Sequence, residues 1–174
     1  MNTNRPIQRR YQRTLRFIKE RIPSRARILD LGTVNPFSEV LKKEGYTVLN
    51  TQGEDLDIQY EFINDLQIDL VIALELFEHM AAPFNILRSM KAEKLIASVP
   101  LRLWFASAYW NEKDDWDKHY HEFEIRQFNW LLQKTGWKIK ASEVWKSAEF
   151  KLGIRPLLRY ITPRYYIVYC EREK

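Results

Sequence analysis

The stretch RILDLGTVNPFSEVLKKEGYTVLNT, Arg27 to Thr51, decides how this chain folds. Its opening RILDLG is a β-compatible apolar run closed by Gly32, the pattern of a buried strand. Asn35-Pro36 reads as a helix N-cap followed by proline in the first turn, with Glu39 placed to favour the helix dipole. The helix over FSEVLKKE stops at Gly45, and YTVLNT forms a second strand. Strand, helix and strand in about 26 residues predict a right-handed parallel βαβ unit. The loop carries one glycine where nucleotide-type loops carry two or three, so the stretch is either a cofactor cradle or a plain strand-to-helix turn.

Working outward, Ile7, Tyr11, Leu15, Ile18 and Ile22 recur at helical spacing, which puts Arg9, Arg10, Arg13 and Arg16 mostly off the apolar stripe and ends a first helix at Pro23. Downstream, GEDLDIQYEFINDLQ is acidic and less periodic, with one short strand expected near Ile58–Ile63. IDLVIALELFEHM begins as a strand and breaks at Glu75; FNILRSMK is helical; KLIASVP is a strand ended by Pro100. HEFEIRQFNWLLQKTGW predicts a helix spanned by Phe123, Gln127, Trp130, Leu131 and Lys134, and WKIKASEVW and RYYIVYCER predict two closing strands. Alternating strands and helices predict an α/β fold: one Rossmann-like domain, mostly parallel, with helices on both faces and an antiparallel C-terminal strand. Residues 1–174 read as a single domain, with a basic helix at 1–25, a cofactor-binding half at 26–100 and an acceptor-side half at 101–174. The aromatic segment Leu101–Tyr120 lies between sheet elements, the usual place for a functional insertion.

The chain has 174 residues, 45% hydrophobic and 29% charged, ordinary for a globular protein. It shows neither an apolar run long enough to span a bilayer nor a signal peptide, and its single cysteine, Cys170, fits a reducing compartment. A cytoplasmic location is the expectation. Residues 1–27 carry a net charge of +8 and residues 146–174 of +4, so the middle carries −7 against +5 overall. Basic ends suit contact with an anionic membrane surface, especially through FKLGIRPLLRYITPRYY, or are solvated helix faces. Nucleic acid is the weaker partner, since no RNA-binding module is visible.

In open α/β sheets ligands sit beyond the carboxyl ends of the strands. The first strand delivers Asp30, Gly32, Thr33 and Asn35 there; the second Gln52, Glu54, Asp55 and Asp57; the third Glu75, Glu78 and His79; the fourth Ser98. Glycine lets a ligand approach the backbone, and a helix N-terminus offers free N–H groups to an anion. No complete G-x-G-x-x-G, P-loop or G-x-S-x-G motif is present, which argues against a dinucleotide, an NTPase and an α/β-hydrolase.

The series ILDLGTVNPF, DLVIALELFEHM, LIASVP and HYHEFEIRQFNWLLQKTGWKI resembles the class I S-adenosylmethionine-dependent methyltransferases, especially the small-molecule type 11 kind, over residues 26–172. The resemblance implies a seven-stranded sheet, S-adenosylmethionine as cofactor, and transfer of a methyl group to a small-molecule or lipid- or sugar-linked acceptor. It also implies that Asp30, Gly32, Thr33 and Asn35 line the methionine end of the cofactor. An acid after the second strand, Asp55 or else Glu54, would hold the ribose, and Glu75 would lie beside the cofactor. Val34 stands where the family has its second loop glycine. Two other readings remain open: a non-catalytic methyltransferase-like binding or partner subunit, motivated by that change, and an RNA-binding or RNA-modifying protein.

His119 and His121 are the candidate catalytic bases, because histidine titrates near neutral pH; the alternative is a polar helix start. A metal held by these histidines with Asp114, Asp115 and Asp117 is not expected, for want of further histidine or cysteine ligands nearby. Trp104, Phe105, Tyr109, Trp110 and Trp116 either line an acceptor pocket or pack under a long loop.

Overall fold

Successive residues of the central strands enter two different cores, as strands buried on both faces require. The computed structural model describes residues 5–146, 158 and 160–173. Its strands are β1 (Arg27–Asp30), β2 (Thr47–Asn50), β3 (Leu70–Leu74), β4 (Lys94–Pro100), β5 (Trp137–Trp145) and β6 (Tyr165–Arg172). They form one sheet in the order β2-β1-β3-β4-β6-β5, with β1 to β4 mutually parallel and β6 antiparallel to both its neighbours. This is the mixed, mostly parallel sheet expected from the sequence.

Ile28, Leu70, Ile72, Ile96, Ile167 and Tyr169 face one core, shared with Phe17 and Ile18 of helix α1 (Arg5–Lys19) and Phe37 and Leu41 of α2 (Pro36–Lys43). Leu29, Val71, Ala73, Leu95, Ala97, Val168 and Cys170 face the other, shared with Ile86 and Leu87 of α3 (Pro83–Ser89) and Phe128 and Leu132 of α4 (Ile125–Lys134). Burial pushes the Cys170 thiol up to about 12, which leaves it inert.

Three expectations need correction. The described residues form six strands, not seven, because the stretch around Ile58–Ile63 is a turn followed by a 3-10 helix, Glu61–Asp65. The Asp55 carbonyl accepts from the Ile58 and Gln59 amides, and the Asp57 carboxylate accepts from the amides of Ala81 (2.8 Å) and Ala82 (2.7 Å). These bonds tie the segment across the sheet's end, so β2 is left as an edge strand. In α4 the core-facing pair is Phe128 and Leu132, while Trp130 is 61% exposed. In α1 the helix stops at Lys19, short of Pro23, and Arg10 turns inward to Glu75 (3.8 Å). The segment FKLGIRPLLRYITPRYY falls largely outside the described residues. No described helix is long and apolar enough to cross a membrane.

Trp137, fully buried, locks the second core. Its indole Nε1 donates to Leu87 O (3.0 Å), and the Arg172 guanidinium stacks over its ring at 4.9 Å. Trp137→Ala should therefore destabilise the fold by about 3–5 kcal/mol, read by urea denaturation at unchanged slope. A loss below about 1 kcal/mol would show that the ring is not the packing element described.

Candidate active site

The chain runs from β1 to β2 on one side and on to β3 on the other, so strand order switches beside β1. The crevice beyond the β1 and β3 ends is where such sheets bind ligands. A cavity of about 230 Å³ lies there, lined by Asp30 at the end of β1 with Gly32 and Asn35 beyond it, Leu74 at the end of β3 with Glu75 beyond it, Ser98 of β4, and Arg10, Tyr11 and Thr14 of α1.

Asp30 builds its first wall. One oxygen, Oδ2, accepts from Asn35 Nδ2 (3.1 Å), Ser38 Oγ (3.0 Å) and Asn50 Nδ2 (3.1 Å). The end of β1, the start of α2 and the end of β2 are thus tied to a single atom. Asn35 is spent twice, because its Oδ1 also caps α2 by accepting from the amides of Phe37 (2.9 Å) and Ser38 (3.1 Å). Asn50 Nδ2 additionally donates to Gly32 O (3.1 Å), fixing the loop's path. Burial raises the Asp30 carboxyl above its usual range, and the three donors only partly offset this.

Gly32 sits next to this clamp, and a Cβ built on it would meet nothing within 4 Å. Neither packing nor a positive φ demands glycine here, so its lack of a side chain leaves room for a ligand. Val34, at the position of the missing second glycine, is 64% exposed and obstructs nothing in the cavity lining. Thr33 is exposed.

Glu75 forms the opposite wall. It holds a positive φ of 54°, a conformation costing a non-glycine residue roughly 1–2 kcal/mol. Its amide donates to Ser98 O (2.9 Å), and its Oε1 accepts from Ser98 Oγ (2.8 Å). Burial raises the Glu75 carboxyl, against the pull of Arg10. The positive guanidinium and this acid therefore share one small cavity.

Glu54 and Asp55 are half-buried and occupied locally: Glu54 Oε2 accepts from the Gln52 amide (2.6 Å), and Asp55 Oδ1 from the Asp57 amide (3.1 Å). Neither lines the cavity.

A second cluster lies past Glu75, in the 3-10 turn Phe77–His79. Glu78 O accepts from the amides of Tyr120 (2.8 Å) and His121 (3.2 Å), which draws the aromatic segment onto this turn. His79 and His119 are thereby brought together, with ring centroids 4.9 Å apart. His79 Nδ1 lies 3.1 Å from Lys118 O and His119 Nδ1 2.9 Å from Glu122 Oε1. Both partners are acceptors, so each Nδ1 is the donor in its bond. Burial, then the neighbouring His119, lowers the His79 pKa and keeps its ring neutral. Glu78 is 1% exposed; its Oε1 lies 3.8 Å from His79 Nε2, and its Oε2 has no hydrogen-bond partner among the described residues. Burial and the nearby Glu75 raise the Glu78 carboxyl well above its usual range.

His121 stands apart, with its ring stacked on Phe123 and its Nε2 3.3 Å from Ala81 O. Trp104, Trp110 and Trp116 are exposed, whereas Phe105 is half-buried against Trp104.

Residues 2–142 match the family described as a methyltransferase domain. The chain belongs to that family and is a class I S-adenosylmethionine-dependent methyltransferase. Similar solved structures include an S-adenosylmethionine-dependent methyltransferase from Archaeoglobus fulgidus, 17% identical over 95% of this chain and 94% of that one, at a TM-score of 0.65. A candidate enzyme of the same kind from Listeria monocytogenes is 14% identical over 91% of this chain and 97% of its own, at 0.64. A complex of the Haloferax volcanii Trm112 methyltransferase activator with a candidate methyltransferase is 14% identical over 97% of this chain and 92% of the matched one, at 0.63. These likenesses bear on the fold. No curated protein sequence matches the chain.

Because burial raises the Asp30 carboxyl, its contribution to stability is present below the unfolded carboxyl pKa and is lost as pH rises through the folded one. Asp30→Asn removes that penalty, so its melting temperature relative to wild type should climb between pH 4 and pH 7. A difference that falls over this range would contradict the sign. Asp30→Ala strands three donors and should lose about 1–3 kcal/mol.

Proposed function

We propose that S-adenosylmethionine binds with its amino-acid end in the cavity between Gly32 and Glu75, and that the acceptor is a small molecule entering past the aromatic segment. The observation that carries this reading is the unfilled space at Gly32 in a cavity whose lining also holds a loose Arg10–Glu75 ion pair (3.8 Å), two opposite charges that a ligand can separate and engage. A zwitterion has a carboxylate for Arg10 and an ammonium group for Glu75. The cavity is smaller than the roughly 300–1,000 Å³ of common ligand pockets, which suits one end of the ligand, with the rest lying over the loop. Asp30 and Asn35 act as positioning residues, because their polar atoms are engaged in the clamp. Glu54 and Asp55 remain the candidate ribose acids, and either must give up its local bond to serve.

When bound, the sulfonium supplies a methyl group: the acceptor's lone pair bonds to the methyl carbon as the C–S bond breaks and its electron pair returns to sulfur. The protein's part is to hold the acceptor atom about 3 Å from the methyl group and in line with sulfur. The Glu78–His79–His119 cluster follows Glu75 in the β3 turn and is joined to the aromatic segment by the bonds from the Tyr120 and His121 amides to Glu78 O. Exposed tryptophan and tyrosine faces next to that cluster suit a compact acceptor with an apolar body. His121 is outside the cluster and is assigned no catalytic role.

Titration calorimetry with S-adenosylhomocysteine should show one site. Gly32→Trp should abolish binding while the ligand-free melting temperature stays unchanged, and Arg10→Ala should weaken binding by about tenfold or more. Undiminished binding in Gly32→Trp would overturn the placement. Transfer of a labelled methyl group to small hydroxylated or amino compounds is expected; transfer only to RNA or protein would overturn the acceptor class.

A further inference from the structure

Two histidines and a buried carboxylate that meet across a 40-residue gap call for an explanation beyond packing. One ligand-type atom from each of Glu78, His79 and His119 lies within 4.8 Å of the others. We propose that these three residues bind a divalent transition-row metal ion, Zn²⁺ or a neighbour such as Co²⁺, at the entrance to the methyl-transfer site.

Four independent features support the site. The ligand set, two imidazoles and one carboxylate, is the set that catalytic zinc and non-haem iron use while keeping positions open. Each histidine is oriented through its other ring nitrogen, one by the Lys118 backbone carbonyl and one by the Glu122 carboxylate, as metal-bound imidazoles are. Glu122 Oε1 is itself fixed by the Tyr109 amide (3.1 Å), so the outer support is anchored. Glu78, 1% exposed, presents an oxygen with no hydrogen-bond partner among the described residues, and a buried polar atom left unpaired is costly. A cation would satisfy that oxygen.

The alternative, a hydrogen-bonded Glu78–His79 pair, fails on distance: 3.8 Å exceeds hydrogen-bond range. Ligands placed tetrahedrally about 2.1 Å from one ion stand roughly 3.4 Å apart. The widest pair must therefore close by at most about 1.4 Å on metal binding. Imidazole ligands favour transition-row ions over Mg²⁺ and Ca²⁺, which prefer oxygen. His119 then serves as a ligand and not as a free base. The role of the ion in turnover, which rests on the methyl-transfer reading above, would be to take an acceptor hydroxyl at an open position and lower its pKa, the proton passing to solvent water as the oxygen attacks. Metal binding itself does not depend on that reading.

The test uses tag-free, chelator-treated full-length protein titrated with Co²⁺, followed by calorimetry and visible absorption. One equivalent should bind, with the absorption bands of nitrogen and oxygen ligation, and Zn²⁺ should displace it while millimolar Mg²⁺ should not. His79→Gln and His119→Gln should each weaken binding more than 100-fold, and Glu122→Gln by about 10- to 100-fold. His121→Gln should leave it unchanged. Melting curves and S-adenosylhomocysteine binding by each variant establish folding and report separately on the cofactor site. Absence of Co²⁺ binding by wild type, or binding unaltered in the two histidine variants, overturns the metal site and leaves the cofactor reading standing. Co²⁺ binding without S-adenosylhomocysteine binding overturns the cofactor reading alone.

Discussion

Three donors converge on one oxygen of Asp30, and the geometry of the binding edge follows from that convergence. Asn35 brings the start of α2, Ser38 its first turn and Asn50 the end of β2, so strand, helix and neighbouring strand share one fixed point. The carboxylate is unfavourable in its buried setting, yet it holds the loop in the path that leaves Gly32 open. Val34, at the second glycine position, is exposed and is not part of the cavity lining, and the Asn35 cap sets the turn.

The opposite wall depends on a different constraint. Glu75 leaves β3 in a left-handed conformation, and its bond to Ser98 spans the ends of two strands. Such strain persists when surrounding contacts over-determine it, and it concentrates at functional sites. The turn that follows positions Glu78 and His79, and the Glu78 carbonyl in turn captures the Tyr120 and His121 amides. One conformational feature at the end of β3 thereby connects the cavity, the acidic and imidazole cluster and the aromatic segment.

The sheet was legible in the sequence because strands buried on both faces read as continuous apolar runs, as in DLVIAL and LIASVP. The strand–turn–helix pattern placed Asp30, Gly32 and Asn35 together at the end of β1, and all three line the cavity there. Ser38 and Asn50 look like ordinary helix and strand residues, and only the fold shows them meeting Asp30. Arg10 was placed off the apolar stripe, but periodicity does not show what a long side chain reaches, and its contact with Glu75 emerges only in the fold. Ile58 and Ile63 suggested a strand, but Ile58 lies exposed in a turn and Ile63 is buried by the 3-10 helix that follows. His79 and His119 could not be paired from sequence, because backbone hydrogen bonds to Glu78 bring them together and no side-chain pattern encodes those bonds.

The central claim is that the ligand-binding centre lies where the β1 loop faces the β3 turn. Backbone amide NMR of the isotope-labelled protein titrated with S-adenosylhomocysteine tests it directly. The account predicts the largest shift changes at Leu31, Gly32, Thr33 and Glu75, with little change along the exposed face of α4. Saturable changes confined to α4 and the Ala81–Phe84 stretch, with Gly32 and Glu75 unmoved, would contradict it.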